Sequence, residues 1–371
     1  MQQQEIIDGL LDFAQRELLH GNADDLDADT PLLELGVLDS LSMVGLLSYV
    51  DEAFGVRIPE EDVVPEHFDT LRSIAALVAS QTDTMSAGDT GTERSELHQL
   101  VALQETYGIR SRMATLPSGA RAHSLSVPGD GPTYLMIPAL GNPSTSFGPG
   151  MRSLSGRRAA VAIDMPGFGL SEVAAPRYGS DAPVYRDHVD FLLEFVDHEV
   201  SGPLVLIGSS AGAMVAAEVA RQRPDRAVAL IVTGFGLIDD VPAWWDGLRA
   251  MSQSPNQFLD AAYYKAPPLT PALERLLHQV LARPAYMSFL DEHAVGAMRT
   301  TFEDLRLPVL FAAGQDDRII PADAVEAAAK RVPGARIEWL ARCGHFPPAE
   351  RPEPFLWLAG TFVESICPEE Q

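Results

Sequence analysis

The stretch LVLIGSSAGAMVAAEVA, residues 204–220, places a serine between an apolar run and a series of small residues. The leading aliphatic residues are typical of a buried strand, and the alanine-rich part that follows favours a helix. Gly208, Ser210 and Gly212 occupy alternate positions at the junction. Glycines on both sides of a serine remove side chains that would collide in a sharp turn. The pattern therefore predicts a strained strand-to-helix turn that exposes the hydroxyl of Ser210.

A nucleophilic serine needs a base to accept its proton and a third group to orient that base. Two later segments, LPVLFAAGQDDRIIP at 307–321 and IEWLARCGHFPPAERPEPF at 337–355, each read as a strand followed by a loop. The loops carry Asp316, Asp317 and His345. Because the carboxyl ends of parallel strands meet at one edge of a sheet, we expect these side chains to approach the serine of the turn.

From residue 97 onward, short apolar runs that end near Gly or Pro alternate with helical segments. The runs are TYLMIPALG (133–141), AAVAIDMPG (159–167), PLVLIGSS (203–210), ALIVTGFG (229–236) and LPVLFAAG (307–314). This alternation predicts a mostly parallel sheet with helices on both faces. Residues 238 to about 305 interrupt it, and we expect a helical lid there. The aromatic residues of this segment include Trp244, Trp245, Tyr263 and Tyr264. We expect them to pack within the lid rather than contact a substrate.

With these motifs in the order serine, acid, histidine, residues of about 98 to 368 resemble the α/β-hydrolase family. The acid motif of that family, GxxDxxxP, maps onto Gly314, Asp317 and Pro321, and its Gly-His step maps onto His345. The resemblance implies a catalytic triad of Ser210, Asp317 and His345. Asp316 is the alternative acid.

The same resemblance implies that the backbone N–H groups of Ala211 and Leu140 form the oxyanion hole. The sequence departs from the family here, because Pro138-Ala139 stands where His-Gly is common. A serine nucleophile argues against relatives that use an aspartate at that position, such as epoxide hydrolases and dehalogenases. Acyl transfer is the chemistry that remains.

A second serine, Ser40, lies in the stretch LGVLDSLSMVGLLSYVDEAFGVRIPEEDV at 35–63. Helical spacing at residues 5–19, again after Ser40, and in DTLRSIAALVAS at 69–80 predicts a small helical bundle of about 80 residues. An Asp-Ser pair at the start of a helix can serve simply as an N-cap. That reading alone would explain Asp39 and its neighbour.

The same stretch resembles acyl or peptidyl carrier proteins, in which the Ser of a DSL step carries phosphopantetheine. The resemblance covers nearly all of residues 1–80 and implies an all-α four-helix carrier bundle with 4'-phosphopantetheine attached covalently to Ser40. It also implies partners, namely a phosphopantetheinyl transferase and an acyl- or aminoacyl-loading ligase or synthase. Leu38 makes the segment look closer to freestanding carriers that adenylating ligases load. A phosphodiester suits a helix N-terminus, where free N–H groups face it.

The expected domains are a carrier at 1–80, a flexible linker rich in Ser, Thr and Gly at 81–96, and a hydrolase at 97–371. A linker of this length gives two tethered sites an effective concentration of roughly millimolar order.

The formal net charge of −25 disfavours nucleic acid as a partner, because a polyanion repels a phosphate backbone. Residues 1–80 hold 17 Asp plus Glu against three Lys plus Arg, which favours docking to basic surfaces or simply high solubility. No apolar run is long enough for a membrane span and no signal peptide is evident, so a cytoplasmic location is expected. Cys343 and Cys367 are too few for a disulfide framework or a zinc site, so we predict ordinary thiols and no metal.

Three functions follow from these readings. In the first, Ser210 attacks an acyl thioester held on Ser40, as in thioesterases and acyltransferases of natural-product assembly. In the second, the hydrolase modifies the carried acyl group at an ester, lactone or C–C bond while the thioester survives, which the Ala213 after the turn and the loop AIDMPGFGLSE at 162–172 favour. In the third, the carrier presents its cargo to separate enzymes, and the hydrolase domain is an inert docking scaffold or an acyl shuttle. In all three, a small-molecule acyl substrate is the expected cargo.

Overall fold

The computed structural model describes residues 3–15, 26–32, 37–38, 40–56, 58, 62–63, 65–81, 101–102, 104–105, 107–173, 175–176, 178, 183–267, 269, 274, 277–278, 280–281, 283, 286, 288–289 and 301–366. Nearly all of the predicted linker at 81–96 lies outside these residues. The chain divides into two compact units. They are Met1–Gly108 with Pro267–Leu277, and Ile109–Ala266 with His278–Gln371.

The first unit is a bundle of helices around an apolar core. Its helices are α1 (Gln3–Phe13), α2 (Ser40–Phe54), α3 (Pro65–Phe68) and α4 (Leu71–Gln81). In α1, apolar residues at helical spacing, Ile6, Leu10 and Phe13 among them, point into that core. The described part of this unit therefore has the four helices predicted for the carrier.

Two polar contacts fix the start of α4 within this unit. Ser73 N–H donates to the Thr70 hydroxyl at 3.1 Å and Thr70 N–H donates to the Ser73 hydroxyl at 3.0 Å, which satisfies two backbone donors reciprocally. The Arg72 guanidinium binds both carboxylate oxygens of Asp29, at 2.6 and 2.8 Å. This pair is exposed, so its contribution to stability is small. Its geometry nonetheless attaches the loop before α2 to the last helix.

The second unit is built on an eight-stranded sheet. Its strands are β1 (Arg110–Thr115), β2 (Arg121–Val127), β3 (Asp130–Ile137), β4 (Arg158–Ile163), β5 (Leu204–Ser209), β6 (Ala227–Thr233), β7 (Val309–Gly314) and β8 (Arg336–Leu340). The strand order is β1-β2-β4-β3-β5-β6-β7-β8. Across the sheet in this order, every neighbouring pair from β4 through β3 to β8 is parallel. Strands β1 and β2 form an antiparallel hairpin at one edge, and β2 pairs with β4 in the antiparallel sense.

Helices cover this sheet and supply its lid. They are α5 (Gly148–Leu154), α6 (Tyr185–Glu199), α7 (Ala211–Gln222), α8 (Val241–Ser252), α9 (Pro255–Ala262), α10 (Ala322–Lys330), α11 (Pro347–Glu350) and α12 (Pro352–Ile366). Strand β5 is buried along its whole length, with α7 packed against it and α6 packed against α7. The prediction of a mostly parallel sheet with helices on both faces, preceded by a helical bundle, is confirmed.

The lid begins directly after β6. Helices α8 and α9 lie in the predicted segment 238–305, and the side chain of Asp240 caps α8 by accepting the N–H of Ala243 at 3.0 Å. Most of residues 268–300 lie outside the described part of the chain. Within the described part, no helix combines the length and hydropathy needed to cross a bilayer.

Candidate active site

Ser210 stands in the turn between β5 and α7 with φ 52° and ψ −120°, a conformation that is strained for a residue with a side chain. A Cβ atom on Gly208 would lie 2.4 Å from the Cα of Ala213, and one on Gly212 would lie 2.3 Å from the carbonyl oxygen of Pro138. Neither position therefore accepts a side chain. The Ser210 N–H donates to the Thr233 carbonyl at 2.8 Å and anchors the turn to β6. The structure has the sharp turn that the glycine spacing predicts.

His345 follows β8, and its ring faces the acid loop after β7. Its Nδ1 lies 2.9 Å from Oδ2 of Asp317, and both side chains are almost fully buried. The other carboxylate oxygen, Oδ1, accepts the N–H groups of Ile319 at 2.8 Å and Ile320 at 3.0 Å. With its oxygens held on three sides, the carboxylate has one orientation. Of the two adjacent candidates, Asp317 is the one paired with the imidazole, while Asp316 donates its backbone N–H to the Cys343 carbonyl.

The backbone under the imidazole is equally constrained. Gly234 follows β6 with φ +57°, and a Cβ atom there would lie 2.6 Å from the carbonyl oxygen of His345 and 3.0 Å from its ring carbon Cε1. A Cβ on Gly314 would lie 2.0 Å from the carbonyl oxygen of Gly344. Two glycines at the carboxyl ends of β6 and β7 thus provide the space that the histidine loop occupies.

The two residues predicted to supply oxyanion donors, Ala211 and Leu140, lie at the ends of different strands of the sheet. Ala211 is the first residue of α7, where the backbone N–H groups have no partner within the helix. Leu140 lies in the turn after β3, which is held by the Asn142 N–H on the Ala139 carbonyl at 3.0 Å and by the Ser144 N–H on Asp164 at 2.5 Å. Both residues line the same cavity as Ser210.

A cavity of about 640 Å³, including its open mouth, brings these groups together. Its polar wall holds Ser210 and His345, and the rest is mainly apolar and aromatic. The lining residues that come from the lid are Trp244, Trp245, Leu248, Phe258, Tyr286 and Phe289. We expected the tryptophans to pack within the lid. They do so, with ring centroids 6.0 Å apart, and they also form part of the cavity wall, whereas Tyr263 and Tyr264 do not line it.

How the lid contacts the loops that carry Arg318 and His345 is not evident from the sequence. The last turn of α9 presents three successive carbonyl groups, and each accepts a donor from one of these loops. The Ala262 carbonyl accepts the His345 N–H at 2.6 Å, the Ala261 carbonyl accepts the Arg318 N–H at 3.2 Å, and the Asp260 carbonyl accepts the Arg318 guanidinium. Since backbone oxygens make these contacts, no residue type in α9 could have signalled them.

The contacts of Glu350 are also not evident from the sequence. Its carboxylate accepts the N–H groups of Gly344 and Phe346, which flank His345, and the N–H of Tyr264 in the lid. The only available signal was a glutamate a few residues after the Gly-His step. Nothing in the sequence shows that α11 turns this side chain back onto the loop.

Cys343 is buried beside the histidine loop, and burial raises the pKa of its thiol well above the ordinary value. A protonated, enclosed thiol is a poor nucleophile, in keeping with the predicted ordinary thiol. Cys367 lies outside the described residues.

In the first unit, Ser40 is the first residue of the 15-residue helix α2. This placement fits a phosphopantetheine phosphodiester, because the unpaired N–H groups and positive dipole end of a helix N-terminus favour a phosphate. The side chain of Ser40 and all of Asp39 lie outside the described residues.

Comparison with known families agrees with this division. The model of the alpha/beta hydrolase family matches residues 134–356, more than half of the chain, and the model of the phosphopantetheine attachment site matches residues 10–78. Solved structures support the fold. A thermophilic esterase from Thermogutta terrifontis has a TM-score of 0.55 at 20% identity, covering 69% of this chain and 99% of that one. The carboxylesterase CesB from Bacillus subtilis has a TM-score of 0.56 at 16% identity, covering 73% and 98%.

Three curated relatives match either most of the chain or a stretch about as long as its larger unit. Polyketide synthase ThaQ of Burkholderia thailandensis is 28% identical over 343 residues, 86% of this chain and 16% of that protein, so the chain spans about a sixth of its length. 2-Hydroxymuconate semialdehyde hydrolase of Pseudomonas putida is 27% identical over 63% of this chain and 88% of its own. Pimeloyl-[acyl-carrier protein] methyl ester esterase of Nitrosomonas europaea is 26% identical over 62% and 94%. The chain is therefore a member of the alpha/beta hydrolase family fused to a phosphopantetheine attachment domain.

Proposed function

We propose that this chain is a carrier-tethered serine hydrolase that acts on an acyl group held on the phosphopantetheine of its own or a partner carrier domain. One observation carries the proposal: a serine in a strained turn shares an apolar cavity with a buried His–Asp pair. Similarity to a polyketide synthase across both units supports a role in natural-product assembly.

The proposed triad is Ser210, His345 and Asp317. Asp317 accepts the Nδ1–H of the neutral imidazole, which leaves Nε2 free to take the proton of the Ser210 hydroxyl. Because the carboxylate is fixed by two backbone N–H groups, it holds one tautomer and one ring orientation. It also stabilises the imidazolium that forms when the serine oxygen attacks.

The phosphopantetheine arm on Ser40 would supply a thiol that holds the acyl group as a thioester. Ser210 Oγ attacks the carbonyl carbon, and the N–H groups of Ala211 and Leu140 donate to the developing oxyanion. His345 then gives its proton to the departing sulfur as the C–S bond breaks, which leaves the acyl group esterified to Ser210. In the second half, His345 takes a proton from water, or from another nucleophile, and returns it to the serine oxygen as the product leaves.

A second candidate function is favoured by a specific comparison. One relative is named as a methyl ester esterase of a substrate on acyl carrier protein, and another as a semialdehyde hydrolase. In this alternative, Ser210 acts on an ester, lactone or C–C bond in the carried group and the thioester survives. The partners would be unchanged: a phosphopantetheinyl transferase and a loading ligase or synthase.

The test loads Ser40 with a panel of acyl-phosphopantetheine arms, transferred from acyl-coenzyme A donors by a phosphopantetheinyl transferase, and follows the intact protein by mass spectrometry. Thioester release predicts that the wild-type arm loses its acyl mass while Ser210→Ala retains it. Action elsewhere on the cargo predicts an arm that stays loaded with a changed mass. Ser209→Ala is the matched control, because this neighbouring serine ends β5 outside the proposed triad.

Two results would count against the proposal. Equal acyl loss from the wild-type protein and Ser210→Ala would remove Ser210 from the reaction. Absence of any mass change, together with failure of a fluorophosphonate to label Ser210, would instead support the scaffold reading, in which the hydrolase unit is inert.

A further inference from the structure

Glu350 places a single carboxylate against three backbone donors. Its Oε1 accepts the Gly344 N–H at 3.0 Å and the Phe346 N–H at 3.1 Å, and its Oε2 accepts the Gly344 N–H at 3.0 Å. These donors belong to the residues immediately before and after His345. The peptide groups on both sides of the imidazole-bearing residue are therefore fixed to one rigid anion.

The same carboxylate reaches the lid. Oε2 accepts the N–H of Tyr264, two residues beyond the end of α9, at 2.9 Å. The His345 N–H itself donates to the Ala262 carbonyl at 2.6 Å. A Cβ atom on Gly344 would lie 2.3 Å from that same carbonyl oxygen, so the two backbones are in direct contact. The histidine loop is thus held both by the Glu350 side chain of α11 and by the backbone of the lid.

We propose that Glu350 is a positioning residue for His345. Its carboxylate joins the histidine loop to the C-terminal end of α9. The inference rests on the proposed serine chemistry. General-base catalysis requires Nε2 of His345 to lie within hydrogen-bond reach of the serine proton, and a displacement of about 1 Å in such a group costs roughly 100-fold in rate. Asp317 fixes only the Nδ1 side of the ring. Glu350 fixes the backbone from which the ring projects.

The anion is the chemically suitable group for this position. An ionised carboxylate is an acceptor at both oxygens, so it can serve three N–H groups at once. Glutamine has nearly the same shape, yet its amide has a single acceptor oxygen and an NH₂ that would face a peptide N–H. Glu350→Gln therefore keeps the volume of the side chain and breaks part of this arrangement.

The experiment compares Glu350→Gln with the wild-type holo-protein, using hydrolysis of p-nitrophenyl butyrate and the rate at which a fluorophosphonate labels Ser210. Glu353→Gln is the matched control, because Glu353 is exposed in the first turn of α12, three residues further on. We expect kcat and the labelling rate to fall about 10- to 100-fold in Glu350→Gln, with KM changed less than threefold. We also expect the acid limb of the pH–rate profile to move, since the environment of His345 changes. Glu353→Gln should match the wild type.

A purely structural role for Glu350 predicts a different result: a lower Tm with unchanged kcat, labelling rate and pH profile at temperatures where the variant is folded. That outcome would overturn the positioning role. Circular dichroism at the assay temperature separates this outcome from unfolding. If Glu350→Gln is unfolded there, Glu350→Asp, which shortens the side chain and keeps the carboxylate, is assayed in the same way, and a normal kcat in that variant would also overturn the positioning role. If the fluorophosphonate does not label the wild-type protein, the proposed serine chemistry is wrong. If it labels the wild-type protein and Glu350→Gln at equal rates, only the positioning role of Glu350 is wrong.

Discussion

Acid sensitivity of the hydrolase unit should depend on one buried histidine. His188 in α6 is almost fully enclosed, and its ring packs against Phe168 and Phe289. Among the described residues, neither ring nitrogen has a hydrogen-bond partner. Burial alone lowers the pKa of His188 from 6.5 to about 3. Below pH 6.5 the unfolded chain takes up a proton at this position and the folded chain does not. Stability is therefore lost as the pH falls from 6.5 toward 3.

The size of this effect follows from the shift in pKa. Each pH unit below 6.5 costs about 1.4 kcal/mol of unfolding free energy for a group that stays neutral in the folded state. Between about pH 7.5 and about pH 5, His188 should thus remove roughly 2 kcal/mol. In His188→Leu, which has a similar volume and no titrating group, this loss should disappear.

The assay is urea unfolding of both proteins at the two pH values, followed by tryptophan fluorescence. All four tryptophans, at 244, 245, 339 and 357, belong to the second unit, so the signal reports the hydrolase and not the carrier. His198→Leu is the control, because His198 is exposed on the same helix. The reasoning is refuted if His188→Leu loses as much stability between the two pH values as the wild type and the control.

Three further substitutions test the site. Gly234→Ala puts a Cβ against the His345 carbonyl oxygen at a position with φ +57°. We expect kcat for an activated ester to fall at least about tenfold and the unfolding free energy to fall by roughly 1–2 kcal/mol. An unchanged kcat would contradict this close packing. Asp317→Asn should lower kcat by about 10³- to 10⁴-fold with KM nearly unchanged, because the amide favours the wrong imidazole tautomer. Asp316→Asn should retain most activity, and equal losses in the two variants would refute the choice of Asp317 as the acid. Gly212→Ala should lower the unfolding free energy by about 1–3 kcal/mol, and with it the midpoint of urea unfolding, because its Cβ would lie 2.3 Å from the Pro138 carbonyl oxygen. An unshifted midpoint would contradict the close packing of this turn.

The parts of this protein that the sequence predicts well are those whose pattern is local. Gly208, Ser210 and Gly212 each meet a requirement of one turn, so their spacing alone indicates the elbow. Strands β5, β6 and β7 are nearly continuous apolar runs because both faces of the sheet are covered. The hairpin of β1 and β2 went unpredicted, because β1 is largely exposed and its sequence, RSRMAT, lacks any apolar run.

Other features depend on contacts between distant segments. Asp316 and Asp317 are equivalent by residue type, and only the direction in which the loop turns decides which one meets His345. The positions of Trp244 and Trp245 on the cavity wall depend on where α8 settles after β6. Glu350 acts over a few residues in sequence, yet its contacts require the fold of α11 and the approach of the lid. No pattern in the sequence carries that information.

The three carbonyl groups at the end of α9 have a consequence for protein engineering. Exchanging this lid for that of another hydrolase, in order to admit a different acyl group, would also exchange the backbone acceptors of Arg318 and His345. Chimeras joined within α8 or α9 should therefore lose turnover for every substrate, including those that the new walls accommodate. Redesign of selectivity should begin instead with single side chains of the wall, such as Leu248 and Phe258, which leave these junctions intact.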